Sequence, residues 1–364
     1  MKTLKTIGVV ATSVCLSLVA QAAQAADFTK VGSDWHIVLD SFKDGTDGSL
    51  NGVGSPSKYE MFGMAIKADQ DTVSIAINAN IPLLGNYAGG AADDNVGYGD
   101  LFFNFSGKAF KDASAANQLF GIRFAGSNDS GVGSVGVYGD VQAKSVVSSN
   151  SGWSSFNSYQ NWVEGNNRDK TPGATGTKSG EVGFGDLSAG EARHYLTAET
   201  TMKQVRKTIR VPETRTRTVR RNGQRVTEEY TVMVNKRVWE TVPETKIQDK
   251  NYSIQNVIAS GNLLGGITML SNDELAGLDF GTSNSSVYSL AHTFGFSFDR
   301  NLLPDGEALI SLLAECVNDG MVMAMNFEPN QTTPESVPEP ATVTSLALVG
   351  LALAGSKFKR QNKA

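Results

Sequence analysis

From Asp34 onward the chain alternates short apolar runs with clusters of Gly, Asn, Asp and Ser. Apolar runs of four to eight residues between turn clusters predict strands. They fall at 35–42, 59–68, 72–80, 100–105, 118–124 and 132–147, then at 252–259, 287–298, 307–316 and 321–327. Turn residues punctuate them, notably at 44–48 and 126–131. This spacing predicts an all-β fold, a sandwich or jelly-roll-like body with short helical pieces. Residues 109–118 have room for a helical turn or two. Ser271-Asn272-Asp273-Glu274 before Leu275-Ala276 reads as a short helix start with Asn272 as its cap. Trp153, Phe156, Tyr159 and Trp162 stand in a Ser/Asn-rich stretch, read as an aromatic loop that covers a core edge or faces a ligand.

Residues 202–250 break this pattern. Asn222-Gly223 is the strongest short hairpin signal in the chain. Folding 205–240 about it pairs residues whose numbers sum to 445. Val219 then faces Val226, Thr218 faces Thr227, Arg217 faces Glu228 and Arg215 faces Tyr230, all favourable partners. Arg220 against Arg225 is unfavourable. Arms of about 17 residues would reach ~55–60 Å. Val-Pro-Glu-Thr recurs at 211–214 and 242–245, which leaves a duplicated unit as the alternative to one hairpin; Pro212 and Pro243 demand edge positions or strand ends.

Charge sharpens the contrast. The 364 residues carry 32 Lys+Arg against 37 Asp+Glu, but 202–250 alone hold 13 basic and 6 acidic residues. The body outside this segment and the two chain ends has 13 basic and 31 acidic residues. A basic arm with Arg215, Arg217, Arg220, Arg221 and Arg225 at its tip suits an acidic extracellular polysaccharide or an acidic neighbour, or is simply a solvated ribbon. The acidic body and the export signals argue against nucleic acid. Composition excludes a disordered acidic polymer and a collagen. No run of about 18 apolar residues exists, which excludes a polytopic membrane protein.

Both ends read as addresses. Lys2 and Lys5, an apolar stretch at 7–20, and Ala23-Gln24-Ala25 form a secretory signal that signal peptidase would cut after Ala25. Its removal leaves one cysteine, Cys316, and hence no internal disulfide. Cys316 reads as a small buried residue near the last strand; an intermolecular bridge or reactive thiol is the alternative. At the other end stand Val337-Pro338-Glu339-Pro340-Ala341, an uncharged stretch at 342–355, and Lys357, Lys359, Arg360 and Lys363. A 14-residue helix is ~21 Å long, short for a ~30 Å hydrocarbon core, and its basic tail would stay cytoplasmic.

These residues resemble the PEP-CTERM sorting signal. The resemblance implies a Gram-negative-type exporter, transient inner-membrane anchoring, and an exosortase that recognises Pro338-Glu339-Pro340 and processes the tail from Ala341. Further stretches are similar to the XDD-type exosortase-dependent surface proteins known from cyanobacteria. They are 59–65 (YEMFGMA), 77–80 (INAN), 91–105 (AADDNVGYGDLFFNF), 120–125 (FGIRFA) and 315–319 (ECVND). That resemblance implies a surface protein and carries no catalytic residues over.

Motifs for chemistry are few. Gly131-Val132-Gly133-Ser134-Val135-Gly136 matches GxGxxG, but strand-like residues follow where a dinucleotide fold needs a helix. No G-x-S-x-G, H-E-x-x-H or Walker motif occurs, and the histidines are His36, His194 and His292. The chain therefore reads as a non-enzyme. Asp93, Asp94 and Asp100 in a Gly-rich loop are a calcium candidate, against a turn whose side chains bond their own backbone. Asp44, Asp47 and Asn51 are a weaker one. No other cofactor is indicated.

The expected organisation is a signal peptide at 1–25, a β body at 26–201 and 251–330, a basic hairpin at 202–250, a linker with the PEP motif at 331–340, and a sorting helix with basic tail at 341–364. The expected function is structural or interactive, at the cell surface or in the extracellular matrix. A carbohydrate-binding adhesin, with or without calcium, is the alternative, and a secreted glycan hydrolase the remote one.

Overall fold

The computed structural model describes residues 34–42, 44–46, 57–166, 182–282 and 290–328. The expected signal peptide with Ala23 and Ala25, and the PEP linker and tail with Pro338, Glu339, Pro340 and Ala341, lie outside them. So do Asp47 and Asn51.

Two antiparallel sheets form the body, as the strand spacing predicts. The chain opens with β1 (His36–Leu39), β2 (Met61–Ala68) and β3 (Thr72–Ala79). A small pair, β4 (Asn86–Tyr87) and β5 (Asn95–Val96), leads to β6 (Leu101–Asn104). Helix α1 (Phe110–Ala115), β7 (Leu119–Arg123), β8 (Gly136–Lys144) and helix α2 (Phe156–Asn166) follow. Next come β9 (Gly183–Phe184), β10 (Leu187–Ser188) and helix α3 (Ala189–Thr197). The long strands β11 (Ala198–Arg221) and β12 (Gln224–Ile247) interrupt the body. It resumes with β13 (Val257–Gly265), β14 (Thr268–Met269), β15 (His292–Asp299), β16 (Gly306–Leu313) and β17 (Gly320–Phe327).

The sheet orders are β1-β2-β3-β15-β14 and β13-β8-β7-β6-β16-β17. Their facing sides share one core: Met64, Ile66, Ile75, Ile77 and Phe296 meet Leu101, Phe103, Ile122, Ile310, Leu312 and Met323. The six-stranded sheet is covered on its other face as well. There Phe102, Leu119, Val141, Leu313 and Val322 pack under Phe110 of α1, Phe156, Tyr159 and Val163 of α2, and Tyr195 and Leu196 of α3. Neighbours such as Phe102 and Phe103, or Leu312 and Leu313, thus bury into opposite cores. That is why β6 and β16 carry adjacent apolar residues, Leu101-Phe102-Phe103 and Leu312-Leu313, rather than a strict alternation. Among the described residues no helix is long and apolar enough to cross a membrane.

Three local expectations are corrected. The aromatic stretch is helical from Phe156 to Asn166, and Phe156, Tyr159 and Val163 recur at helical spacing on its buried side. At 271–277 the chain makes turns rather than a helix, and the residue that caps them is Ser271, not Asn272. Its main-chain N–H and hydroxyl donate to Glu274 Oε2 at 2.8 and 2.7 Å. The strand expected at 252–259 starts only at Val257, because Asn256 spends its side chain on cross-links: Nδ2 donates to the carbonyls of Ala314 and Glu315, and Oδ1 accepts from Val146.

The hairpin has the expected register without a break, from Ala198 opposite Ile247 to Arg221 opposite Gln224. Its strands have 24 residues each, longer than the expected arms, and begin four residues before 202. At ~3.4 Å per residue the ribbon extends ~80 Å. Asn222 and Gly223 both have positive φ, 48° and 80°, the type I′ geometry that matches strand twist. Pro212 faces Met233 and Pro243 faces Met202. Counting outward from the turn puts both prolines at non-hydrogen-bonded positions, where a missing N–H does no harm. The repeated Val-Pro-Glu-Thr segments therefore sit within one hairpin.

Candidate functional site

Four buried carboxyl groups meet at the end of the body where all three layers join. Asp40 and Asp44 come from the segment after β1, Glu60 precedes β2, and Asp319 sits in the turn between β16 and β17. One oxygen each of Asp40, Asp44 and Asp319 lie within 4.8 Å of one another. Main-chain amides hold the group. Gly185 N–H donates to Asp40 Oδ1 at 3.1 Å and Gly183 N–H to Asp44 Oδ2 at 2.7 Å. Met61 and Gly320 N–H donate to the two oxygens of Asp319, both at 2.7 Å. Ser57 N–H donates to Glu60 Oε2 at 3.2 Å. Tyr159, reaching in from α2, donates its hydroxyl to the Asp44 carbonyl at 3.2 Å.

Burial dominates the electrostatics here. Desolvation raises the Asp40 carboxyl to about 7, against the Gly185 amide that lowers it. Desolvation first, then repulsion from their acidic neighbours, holds Asp44 and Asp319 well above the usual carboxylate range. Glu60 is raised well above it too, again chiefly by burial. Asp40 Oδ2 and Asp44 Oδ1 are buried with no hydrogen-bond partner.

A cleft of about 430 Å³ borders this cluster along Thr46 and Asn318, whose backbones bond at 2.9 Å. Lys58, Tyr59, Asn150, Ser151 and Trp153 complete much of its wall. Trp153 is fixed by its indole N–H to Thr46 Oγ1 at 2.8 Å and packs at a tilt of 43° against Trp162, with ring centres 5.6 Å apart. Cys316 also borders the cleft but is buried, and desolvation pushes its thiol up to about 12.

The calcium candidates from the Gly-rich loop are placed apart. Asp93 and Asp94 are exposed; Asp93 Oδ1 accepts from Asn95 N–H at 3.1 Å, and Asp94 takes a left-handed φ of 59°. Asp100 points inward instead, accepting from Asn128 Nδ2, Ser130 Oγ and Ile258 N–H at 2.7–2.8 Å. Arg123 braces the same network through Asn128 Oδ1. Beside it Glu315 accepts from Gly97 and Asp129 N–H at 2.7 and 2.6 Å. Among the described residues the sole cluster of metal-ligating groups is Asp40, Asp44 and Asp319. The histidines are dispersed, His36 on β1, His194 on α3 and His292 on β15.

On the ribbon, Arg217 and Arg221 both pair with Glu228, at 3.4 and 2.6 Å, and Arg217 lies over the Tyr230 ring. Arg215 pairs with Glu213 at 2.8 Å, and Arg220 stands opposite Arg225 as expected. One face carries Val205, Ile209, Val211, Val232, Val234 and Val238, all half-buried; the other exposes Met202, Met233 and Trp239.

Of the acid cluster the sequence offered only Asp44, grouped there with Asp47 and Asn51, since the members are scattered from position 40 to 319. A signal did exist: Glu60 and Asp319 stand inside YEMFG and ECVND, and Asp100 and Glu315 inside the other network. A strand core seldom contains isolated carboxylates without a polar task.

No curated protein and no solved structure matches the chain. Residues 336–361 match the family model of the PEP-CTERM protein-sorting motif. That match supports export to the cell surface or extracellular space through membrane-associated sorting. The chain thus ends in an exosortase sorting motif of the PEP-CTERM type, attached to an all-β sandwich.

Proposed function

We propose that the protein is a structural or interaction component of the cell surface or extracellular matrix, acting by contact and not by catalysis. The observation that carries this reading is the sorting motif at 336–361 behind a β body that projects a long basic ribbon. Signal peptidase acts after Ala25. The tail holds the chain briefly in the inner membrane of a Gram-negative-type cell, where exosortase acts at Pro338-Glu339-Pro340. The likeness of 59–65, 91–105 and 315–319 to XDD-type surface proteins favours the same destination. The ribbon, with Arg215, Arg217, Arg220, Arg221 and Arg225 near its tip, takes an acidic polysaccharide.

One observation favours a second reading, a carbohydrate-binding adhesin. The cleft is lined by Trp153 together with Asn150, Ser151 and Asn318, an aromatic and polar mixture of the kind sugars use. Deletion of 337–364 tests the first reading. The truncated protein is expected in the medium, soluble and released. Unchanged surface retention overturns the sorting reading. A glycan array probed with the released protein separates polymer from sugar binding: loss of signal on removing the ribbon supports the first reading, and loss on Trp153→Ala the second.

A further inference from the structure

We propose that Asp40, Asp44 and Asp319, with Glu60 beside them, form a binding site for one hard divalent cation, calcium. Three observations converge on it. The three aspartates present oxygens within 4.8 Å of one another inside the body. Two of these side chains, each more than nine-tenths buried, keep an oxygen that no N–H or O–H donor reaches: Oδ2 of Asp40 and Oδ1 of Asp44. Neighbouring Asn80, whose Nδ2 donates to the Ser57 carbonyl, leaves Oδ1 unpartnered as well.

The hydrogen bonds that do reach the cluster work against its burial. They come from the main-chain N–H groups of Gly45, Ser57, Met61, Gly183, Gly185 and Gly320, which can only donate. Such donors favour the anionic carboxylate, whereas burial without a counter-charge favours the protonated acid. Yet among the described residues no Lys or Arg forms an ion pair with any of the four acids. A buried group of like charges needs compensation. A proton shared between Asp40 and Asp319, which lie within hydrogen-bonding reach, would satisfy that pair and leave Asp44 Oδ1 unmet. A divalent ion serves all three. The donor set is wholly oxygen, which suits calcium and disfavours zinc or copper.

The placement gives the ion a role. Asp40 and Asp44 extend from the five-stranded sheet, Asp319 from the six-stranded one, and Gly183 opens and Gly185 follows β9, whose Phe184 packs beneath α2. Binding therefore ties three layers through residues up to 279 positions apart in sequence, and is linked to folding. It stands whether or not the ribbon or the cleft finds a polymer.

The test is calcium titration of the whole exported protein after exhaustive chelation. One calcium per chain is expected by equilibrium dialysis. Tm should rise by roughly 5–10 °C once free calcium exceeds the dissociation constant a hundredfold. Asp44→Asn and Asp319→Asn should each abolish both effects, while the double exchange Asp93→Asn with Asp94→Asn leaves them intact. Should the buried variants fail to fold, crystals of the unsubstituted protein grown in calcium decide: density between Asp40, Asp44 and Asp319 supports the site. No bound calcium, binding that survives Asp44→Asn, or density confined to the Asp93-Asp94 loop overturns it.

Discussion

Glu315 shows how one buried side chain writes itself into the response of the protein to pH. Burial raises its carboxyl from an ordinary 4.5 to about 7, while the Asp129 and Gly97 amides pull it down. The folded chain therefore binds this proton more tightly than the unfolded chain does. Its stabilising contribution is complete below the unfolded value and is lost as pH rises through about 7. The loss amounts to at most about 3 kcal/mol. Glu315→Gln should accordingly flatten the fall in stability between about pH 5 and pH 8, read from urea unfolding; parallel profiles for the two proteins would refute the assignment. Nothing in the spacing of the chain reveals that Glu315 faces Gly97 and Asp129, nor that Asp40 meets Asp319. Carboxylates are common along the sequence, and what distinguishes these is burial, a property of the packed layers. The exposed Asp93-Asp94 pair drew attention as a dense cluster, although dense acidic loops are easily hydrated.

At the scale of elements, the strands of the sandwich were legible because each is a short apolar run closed by turn residues. The ribbon was legible down to its register, because Asn222-Gly223 fixes the centre and the cross-strand partners then fall into place. Helix α2 was not, since Ser and Asn dilute its buried side and no acidic first turn marks its start. Helix α3 left a signal in Ser188 and Glu191, which cap one another across its first turn. Close approach between elements yields a further expectation. Gly99 donates its N–H to Leu313 O at 2.8 Å, and a Cβ there would strike the main-chain oxygen of Asn256 and approach that of Leu313 to 2.9 Å. Backbone atoms cannot swing aside as side chains do. Gly99→Ala should lower stability by about 1–3 kcal/mol, visible in thermal unfolding; an unchanged Tm would mean that the backbone at Asn256 and Leu313 yields more easily than its contacts suggest.

Across the whole molecule, the ribbon is an appendage and the sandwich is self-contained. Ala198 and Ile247 are paired neighbours, and Gln248 N–H donates to Thr197 O at 2.8 Å, so the body closes beneath the ribbon. Replacing 201–244 by a two-residue Asn-Gly turn should leave the Tm of the body within about 2 °C, because the bonds lost are exposed ones. Collapse of the transition would show instead that the ribbon supports the core. The same closure decides where a mechanical load would arrive. A polymer gripping the Asn222-Gly223 tip drags both strands the same way, so their mutual hydrogen bonds are not sheared or peeled apart. Tension runs down the pair to its root, where Arg193 meets Asp249 at 3.0 Å and Asn157 N–H meets the same carboxylate at 2.9 Å. Under pull, that clasp between α2, α3 and the segment just after β12 is where the protein would yield first.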